Sequence, residues 1–366
     1  MSHQRYCSNA CLRRAVRFFC VSVALLILLE FFSHQSAQAD ILHGIATMGD
    51  SSSIKSAPFK FPVMLQNNRG LNFGGTNLPY VHAVGGSTSA SMLVGNPTPS
   101  DPNQPQRVAA DVAAGKVSVA TLLVGNNDYG QIAVPLLSGG LTPTELANFE
   151  TGVVNNIESA VTTVLNSGIQ GFLLGSVPRT VAEPVVSQYF PSVPPDQLPG
   201  IIDLVDSSQE RINAQLLDFA NAHHIPFVDF FGFEKSLGTA DHITVGGVPI
   251  ALTKGPDATY FFVDNLHPGY VGNAILSNFW MTALNVAYGT HLTLFSDHES
   301  LNMAGLGNQY TGETFSNSLN YADFIHFNPV PEPSSIVLAI TAIAGMVAWS
   351  WRRPEVACVV PTRTHG

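Results

Sequence analysis

Apolar residues through the middle of the chain recur at two different spacings, the signature of strands alternating with helices around a parallel sheet. Nearly continuous apolar runs over residues 41–48, 117–124, 171–174 and 225–230 predict four buried strands. Three helices are predicted around them. Thr142-Pro143-Thr144-Glu145 reads as a helix start, and Leu146, Phe149, Val153, Ile157, Val161 and Val164 then recur three and four apart as far as Leu165. Residues 201–222 repeat the pattern with Leu204, Ile212, Leu216 and Phe219 on one face, and residues 269–288 form a third helix just after His267-Pro268. These stripes are core. Gly246-Gly247 between two short apolar runs, over 243–250, predicts a hairpin at one edge of the site. Residues 289–329, rich in Asn, Ser, Thr and Gly, read as an irregular extension of loops or short strands packed on the domain.

The two ends have another character. Residues 1–39 combine an arginine-bearing start, an apolar run over 18–29 and Ala37-Gln38-Ala39, whose small residues suit signal peptidase, so they read as an export signal. The alternative is an uncleaved anchor, for which twelve apolar residues are short against the roughly 20 needed to span a bilayer. Near the other end stand Val330-Pro331-Glu332-Pro333-Ser334, an apolar stretch over 335–351 and Arg352-Arg353. In that order they resemble the PEP-CTERM sorting signal of certain Gram-negative bacteria, which implies handling of the tail by an exosortase during export. An ordinary C-terminal single-pass anchor is the alternative, since it needs only the apolar run and the arginines. Either way residues 40–329 are expected outside the cytoplasm, followed by a sorting or transmembrane segment at 330–353 and a short tail at 354–366.

Composition narrows the function further. Only 11% of the 366 residues are charged and 45% are hydrophobic, which excludes a disordered chain. The formal charge is -10, yet between Asp40 and Val330 nine basic residues face twenty-three acidic ones. Such a body repels phosphate backbones, so no nucleic-acid partner is expected. Cys7, Cys11, Cys20 and Cys358 all lie in the terminal segments, which excludes a disulfide framework, a thiolate nucleophile or a Cys-ligated zinc in the body.

Gly-x-Ser-x-Gly, His-Glu-x-x-His, Walker-type and Gly-x-Gly-x-x-Gly motifs are missing, which removes the main support for nucleotide use and zinc proteolysis. Four short blocks remain, each at the end of a predicted element. Gly49-Asp50-Ser51 follows the first strand, and Val84-Gly85-Gly86-Ser87-Thr88 follows a second apolar segment. Gly125-Asn126-Asn127-Asp128 follows the strongest strand, and Asp264-Asn265-Leu266-His267-Pro268 puts a carboxylate and an imidazole three residues apart before a helix. Asp297-His298-Glu299 offers metal-capable side chains, but adjacent residues point apart, and neither a metal nor another cofactor is expected.

In this order the four blocks resemble the SGNH (GDSL-type) serine hydrolases, over about residues 41–288. The resemblance implies an α/β fold, a three-layer α/β/α sandwich around a central, mainly parallel sheet of flavodoxin-like type. It also implies Ser51 as nucleophile, His267 as general base and Asp264 as its orienting carboxylate. The oxyanion donors would be the Ser51 and Gly86 amides and the Asn127 side chain, with Asp50, Gly125 and Asp128 supporting the loops. This assignment is chemically coherent, because a serine hydroxyl needs a base within hydrogen-bond reach and the tetrahedral intermediate needs preorganised donors. Two positions depart from the family pattern: Ser52 replaces the leucine that follows the nucleophile, and Val81 stands where an asparagine is common. The expected activity is hydrolysis of a carboxylic ester, on a lipid or an acylated saccharide. An acyltransferase using the same residues, or a surface protein keeping the scaffold without turnover, are the alternatives.

Overall fold

In the computed structural model, which describes residues 41–329 apart from 96–101, 138, 183–195, 197, 239 and 265, the apolar runs form a sheet. The segments 1–39, 330–353 and 354–366, on which the export and sorting expectations rest, lie outside the described residues. All the described residues but Pro329 belong to one compact unit that ends at Asn328. Among them no helix is long and apolar enough to cross a membrane.

Strands β1 (Ile45–Gly49), β2 (Val119–Leu123), β3 (Gly171–Gly175) and β4 (Phe227–Val228) pair in parallel in that order. Each is buried along its whole length, as a sheet covered on both faces requires. The pleat sends Val119, Leu123 and Leu173 into one core and Ala120, Leu122, Phe172 and Leu174 into another. The covering helices are α1 (Phe61–Arg69), α2 (Gln104–Ala113), α3 (Asn126–Leu137), α4 (Pro143–Leu165), α5 (Leu198–Ala222), α6 (Phe230–Ser236) and α7 (Tyr270–Tyr288). Phe61 of α1, Phe230 and Phe233 of α6, and Phe279 and Trp280 of α7 fill the first core. Val108 of α2, Tyr129 of α3, Ile157 of α4 and Leu216 of α5 fill the second. The result is the expected three-layer α/β/α sandwich. Thr142 and Glu145 close the predicted capping box at the start of α4.

Residues 80–84 run along the free side of β1. Thr47 N donates to Tyr80 O at 3.0 Å, His82 N to Thr47 O at 2.9 Å and Val84 N to Gly49 O at 3.1 Å. The chain leaves β1, crosses to this side, and only then returns to form β2 on the other. The carboxyl end of β1 is therefore a topological switch point, the place where open α/β sheets leave a crevice for ligands.

Three details differ from the sequence reading. β4 has two residues because Asp229 accepts Gly232 N at 2.8 Å and caps α6, so Phe230 begins a helix. The hairpin of β5 (His242–Val245) and β6 (Val248–Lys254) joins β7 (Tyr260–Phe262) in a separate sheet. Its Gly246-Gly247 turn, with φ of 58° and 84°, docks on the segment after α7, and the sheet reaches the candidate site through β7. That segment, read as loops or short strands, contains α8 (Asp297–Met303), started by a Ser296–Glu299 capping box, and β8 (Ile325–His326), antiparallel to β4 at the sheet edge. Asp297 is buried and accepts the Gly246, Thr314, Phe315 and Ser316 amides, which fastens the extension to the hairpin.

Candidate active site

Gly49 ends β1 with φ at 125°, and a Cβ there would lie 1.9 Å from Leu123 O, so only glycine lets β1 and β2 approach this closely. The chain then turns sharply. Asp50 N donates to Leu123 O at 3.2 Å, while the Asp50 side chain accepts Ser52 N at 2.9 Å and its carbonyl accepts Ser53 N at 3.1 Å. This turn carries Ser51, half-buried, at the switch point. Burial pushes the Asp50 carboxyl up to about 6, against the hydrogen bond from Ser52 and the charges of Lys60 and His267.

The Gly85-Gly86 loop follows the ribbon beside β1 and lies against the turn: a Cβ on Gly85 would sit 3.9 Å from Ser51 Cβ. Gly86 has φ at 77°, and a Cβ there would meet nothing within 4 Å. Asn127, in the first turn of α3, donates from Nδ2 to Ser87 O at 3.0 Å, which brings its amide to the same loop. Asp128 points away, accepting Ser89 N at 2.8 Å and Ser89 Oγ at 2.6 Å, and burial pushes its carboxyl up against those two bonds. Gly125 has φ at 130°, and a Cβ there would strike Val177 at 2.6 Å. Val81 is buried in the ribbon, bridged to Thr47.

β7 delivers the fourth block. Val263 N donates to His267 O at 2.9 Å and Gly269 N to Phe261 O at 2.7 Å, closing a tight loop before α7. Within it His267 Nδ1 lies 2.8 Å from Asp264 Oδ2, while Asp264 Oδ1 accepts the Leu266 and His267 amides at 2.8 and 2.7 Å. Partial burial pushes Asp264 up, but these hydrogen bonds outweigh it and hold the carboxylate below its ordinary value. With Nδ1 held by a carboxylate, the ring carries its proton there and offers Nε2 as acceptor. His267 Nε2 is turned inward, out of solvent and without a hydrogen-bond partner. His267 lies near enough to Asp50, the neighbour of Ser51, for a charge on its ring to act on that carboxyl, and no hydrogen bond joins Ser51 to His267.

The model of the family described as GDSL-like Lipase/Acylhydrolase matches residues 45–280, which spans all four blocks. The chain belongs to this family. A GDSL-like acylhydrolase is a hydrolase of ester-type substrates. No curated protein matches the chain. Among solved structures, the crystal structure of LAE5, described as an alpha/beta hydrolase enzyme from the metagenome of Lake Arreo, Spain, is 15% identical. Its TM-score is 0.36, and the match covers 68% of this chain and 95% of that one.

Two buried residues of this GDSL-like chain escape sequence reasoning. Gln104, the first residue of α2, accepts Gly49 N at 2.8 Å and donates to Gly49 O and to Ser87 Oγ, both at 3.0 Å. Only the polarity of a residue at a helix start hinted at it. Lys60, just before α1, is 3% exposed and faces Asp50 and Asp264; no signal in the sequence separates it from a surface lysine. Asp297, His298 and Glu299 do point apart: Asp297 into its amide cage, His298 toward Asn302, and Glu299 to Arg69. Among the described residues no group of three or more His, Cys, Asp or Glu stands together to hold a metal.

Proposed function

We propose that this chain is an exported serine esterase that hydrolyses carboxylic esters through an acyl-enzyme intermediate. What supports the reading is the Gly85-Gly86 loop lying against Ser51 and holding Asn127, together with an Asp264–His267 pair whose Nε2 is buried and unpartnered and whose ring acts electrostatically on Asp50.

Ser51 Oγ attacks the acyl carbonyl while His267 Nε2 takes its proton. Asp264 holds the ring orientation and stabilises the imidazolium that forms. The carbonyl oxygen becomes an anion and is received by the Ser51 and Gly86 amides and the Asn127 side chain, which spends one amide hydrogen on Ser87 O and keeps the other. Collapse expels the alcohol, protonated by His267, and leaves an acyl-Ser51 ester. A water, deprotonated by His267, then releases the acid. Without substrate the Ser51–His267 hydrogen bond is not formed, and the reaction requires it to form in the substrate complex.

The substrate reading is a lipid or acylated-saccharide ester met outside the cytoplasm. It rests on residues 1–39 as export signal and 330–353 as PEP-CTERM-like sorting segment or membrane anchor, both read from the sequence. The test is an ester screen with p-nitrophenyl acetate and butyrate alongside Ser51→Ala, together with covalent labelling by a fluorophosphonate. Activity and labelling that vanish in Ser51→Ala support the reading, and equal rates for the two proteins overturn it. Intact mass of the protein recovered from cells tests the processing of both ends.

A further inference from the structure

Lys60 occupies a position that nothing in the hydrolytic steps above requires. Its ammonium is buried and has no hydrogen-bond partner, and it belongs to the N-cap residue of α1, next to the positive end of a helix dipole. Desolvation, the missing partner and the dipole all disfavour a cation there. What offsets them is the charge of two carboxylates, Asp50 in the turn after β1 and Asp264 in the loop before α7. These are the ionisable groups facing Lys60, and His267 faces Asp50 in turn. Packing joins the same segments. Lys60 Nζ stands 5.7 Å from the centre of the Phe59 ring, and Phe59 meets Tyr270, the first residue of α7, edge-on with ring centres 5.7 Å apart.

We propose that Lys60 is a positioning residue of the esterase site: its buried ammonium balances the charge of Asp50 beside the nucleophile and of Asp264 beside the general base. The proposal rests on the serine esterase reading and adds to it the group that controls charge around Ser51. A buried carboxylate next to the nucleophile opposes the negative charge that develops on the carbonyl oxygen, and a cation behind it cancels that field. Burial pulls Lys60 down to about 8 and pushes Asp50 up to about 6, so both are charged between those values. Above about pH 8 Lys60 loses its proton and Asp50 stands uncompensated.

The experiment measures the second-order rate of fluorophosphonate labelling of the full chain from about pH 6 to 10, which needs no knowledge of the natural ester. Wild type is expected to slow by about 10-fold above pH 8. Lys60→Met removes a charge that holds Asp50 down, so its fall is expected to follow the ionisation of Asp50 rather than that of Lys60 and to leave it labelling about 10-fold more slowly than wild type once Asp50 is charged, and adding Asp50→Asn restores most of the rate. Lys60→Arg keeps the charge and carries the neutral rate to higher pH. It decides the matter where circular dichroism shows Lys60→Met unfolded. Burial also pushes Glu234 up to about 8, so Glu234→Gln is included and is expected to retain the fall. A flat wild-type profile, or Lys60→Met labelling as fast as wild type, overturns the Lys60 assignment alone. Label on Ser51→Ala, or none on wild type, overturns the esterase reading and this proposal with it.

Discussion

The side-chain amide of Gln104 closes around the peptide of Gly49, accepting its N–H at 2.8 Å and donating to its carbonyl at 3.0 Å. The same Nε2 reaches Ser87 Oγ, so one buried amide sets the spacing between the Ser51 turn and the glycine loop. Gln104→Ala leaves both polar groups of Gly49 without these partners, at about 1–3 kcal/mol each where water cannot replace them. The expected result is lower stability in denaturant and a kcat about 10-fold lower with little change in KM. Unchanged kcat in a folded variant would show that the spacing has no bearing on turnover.

Asn127 is held at the Gly86 loop by its bond to Ser87 O. If its second amide hydrogen receives the oxyanion, Asn127→Ala lowers kcat by about 10²-fold, since one such donor is worth roughly 3–4 kcal/mol. Steady-state kinetics on p-nitrophenyl butyrate checks this. A purely structural role would instead appear as lost stability at full activity.

Asp264 accepts both the ring and the backbone of His267. Asp264→Asn keeps the shape but offers an amide that favours the wrong tautomer, and kcat is expected to fall by about 10²-fold or more. Because its charge also acts on the buried Lys60, circular dichroism accompanies the kinetics to show that the variant is folded. Full activity in Asp264→Asn would remove the carboxylate from the mechanism.

Asp297 governs stability rather than turnover. Burial pushes its carboxyl up, but hydrogen bonds from Ser316, Thr314 and Gly246 outweigh that and hold it below its ordinary value. A carboxylate depressed in the folded state contributes stability that is fully present above its unfolded value, about 3.8, and is lost as pH falls through the folded value. Asp297→Asn is expected to cost about 2–4 kcal/mol at neutral pH, the deficit narrowing below about pH 4. Urea unfolding at several pH values measures it, and a deficit that does not depend on pH would contradict the account.

Local pattern was enough for the sandwich and for the four blocks, because strand burial, helical stripes, capping boxes and glycine turns are written in neighbouring residues. Thr142 and Glu145, Gly49 and Gly125 each show their role within a few positions. Pattern failed where a short polar signal competed with a longer run, as at Asp229, or where a helix had too few turns to show a period, as at 297–303. Which distant residues meet was left to folding. Gln104 acquires its partner 55 positions away, and Lys60 comes under the charges of Asp50 and Asp264 only once the chain has folded. A lysine or glutamine carries no local mark of burial. Its charge or amide takes on meaning from the groups that surround it once water has been excluded, and that environment exists only in the assembled tertiary structure.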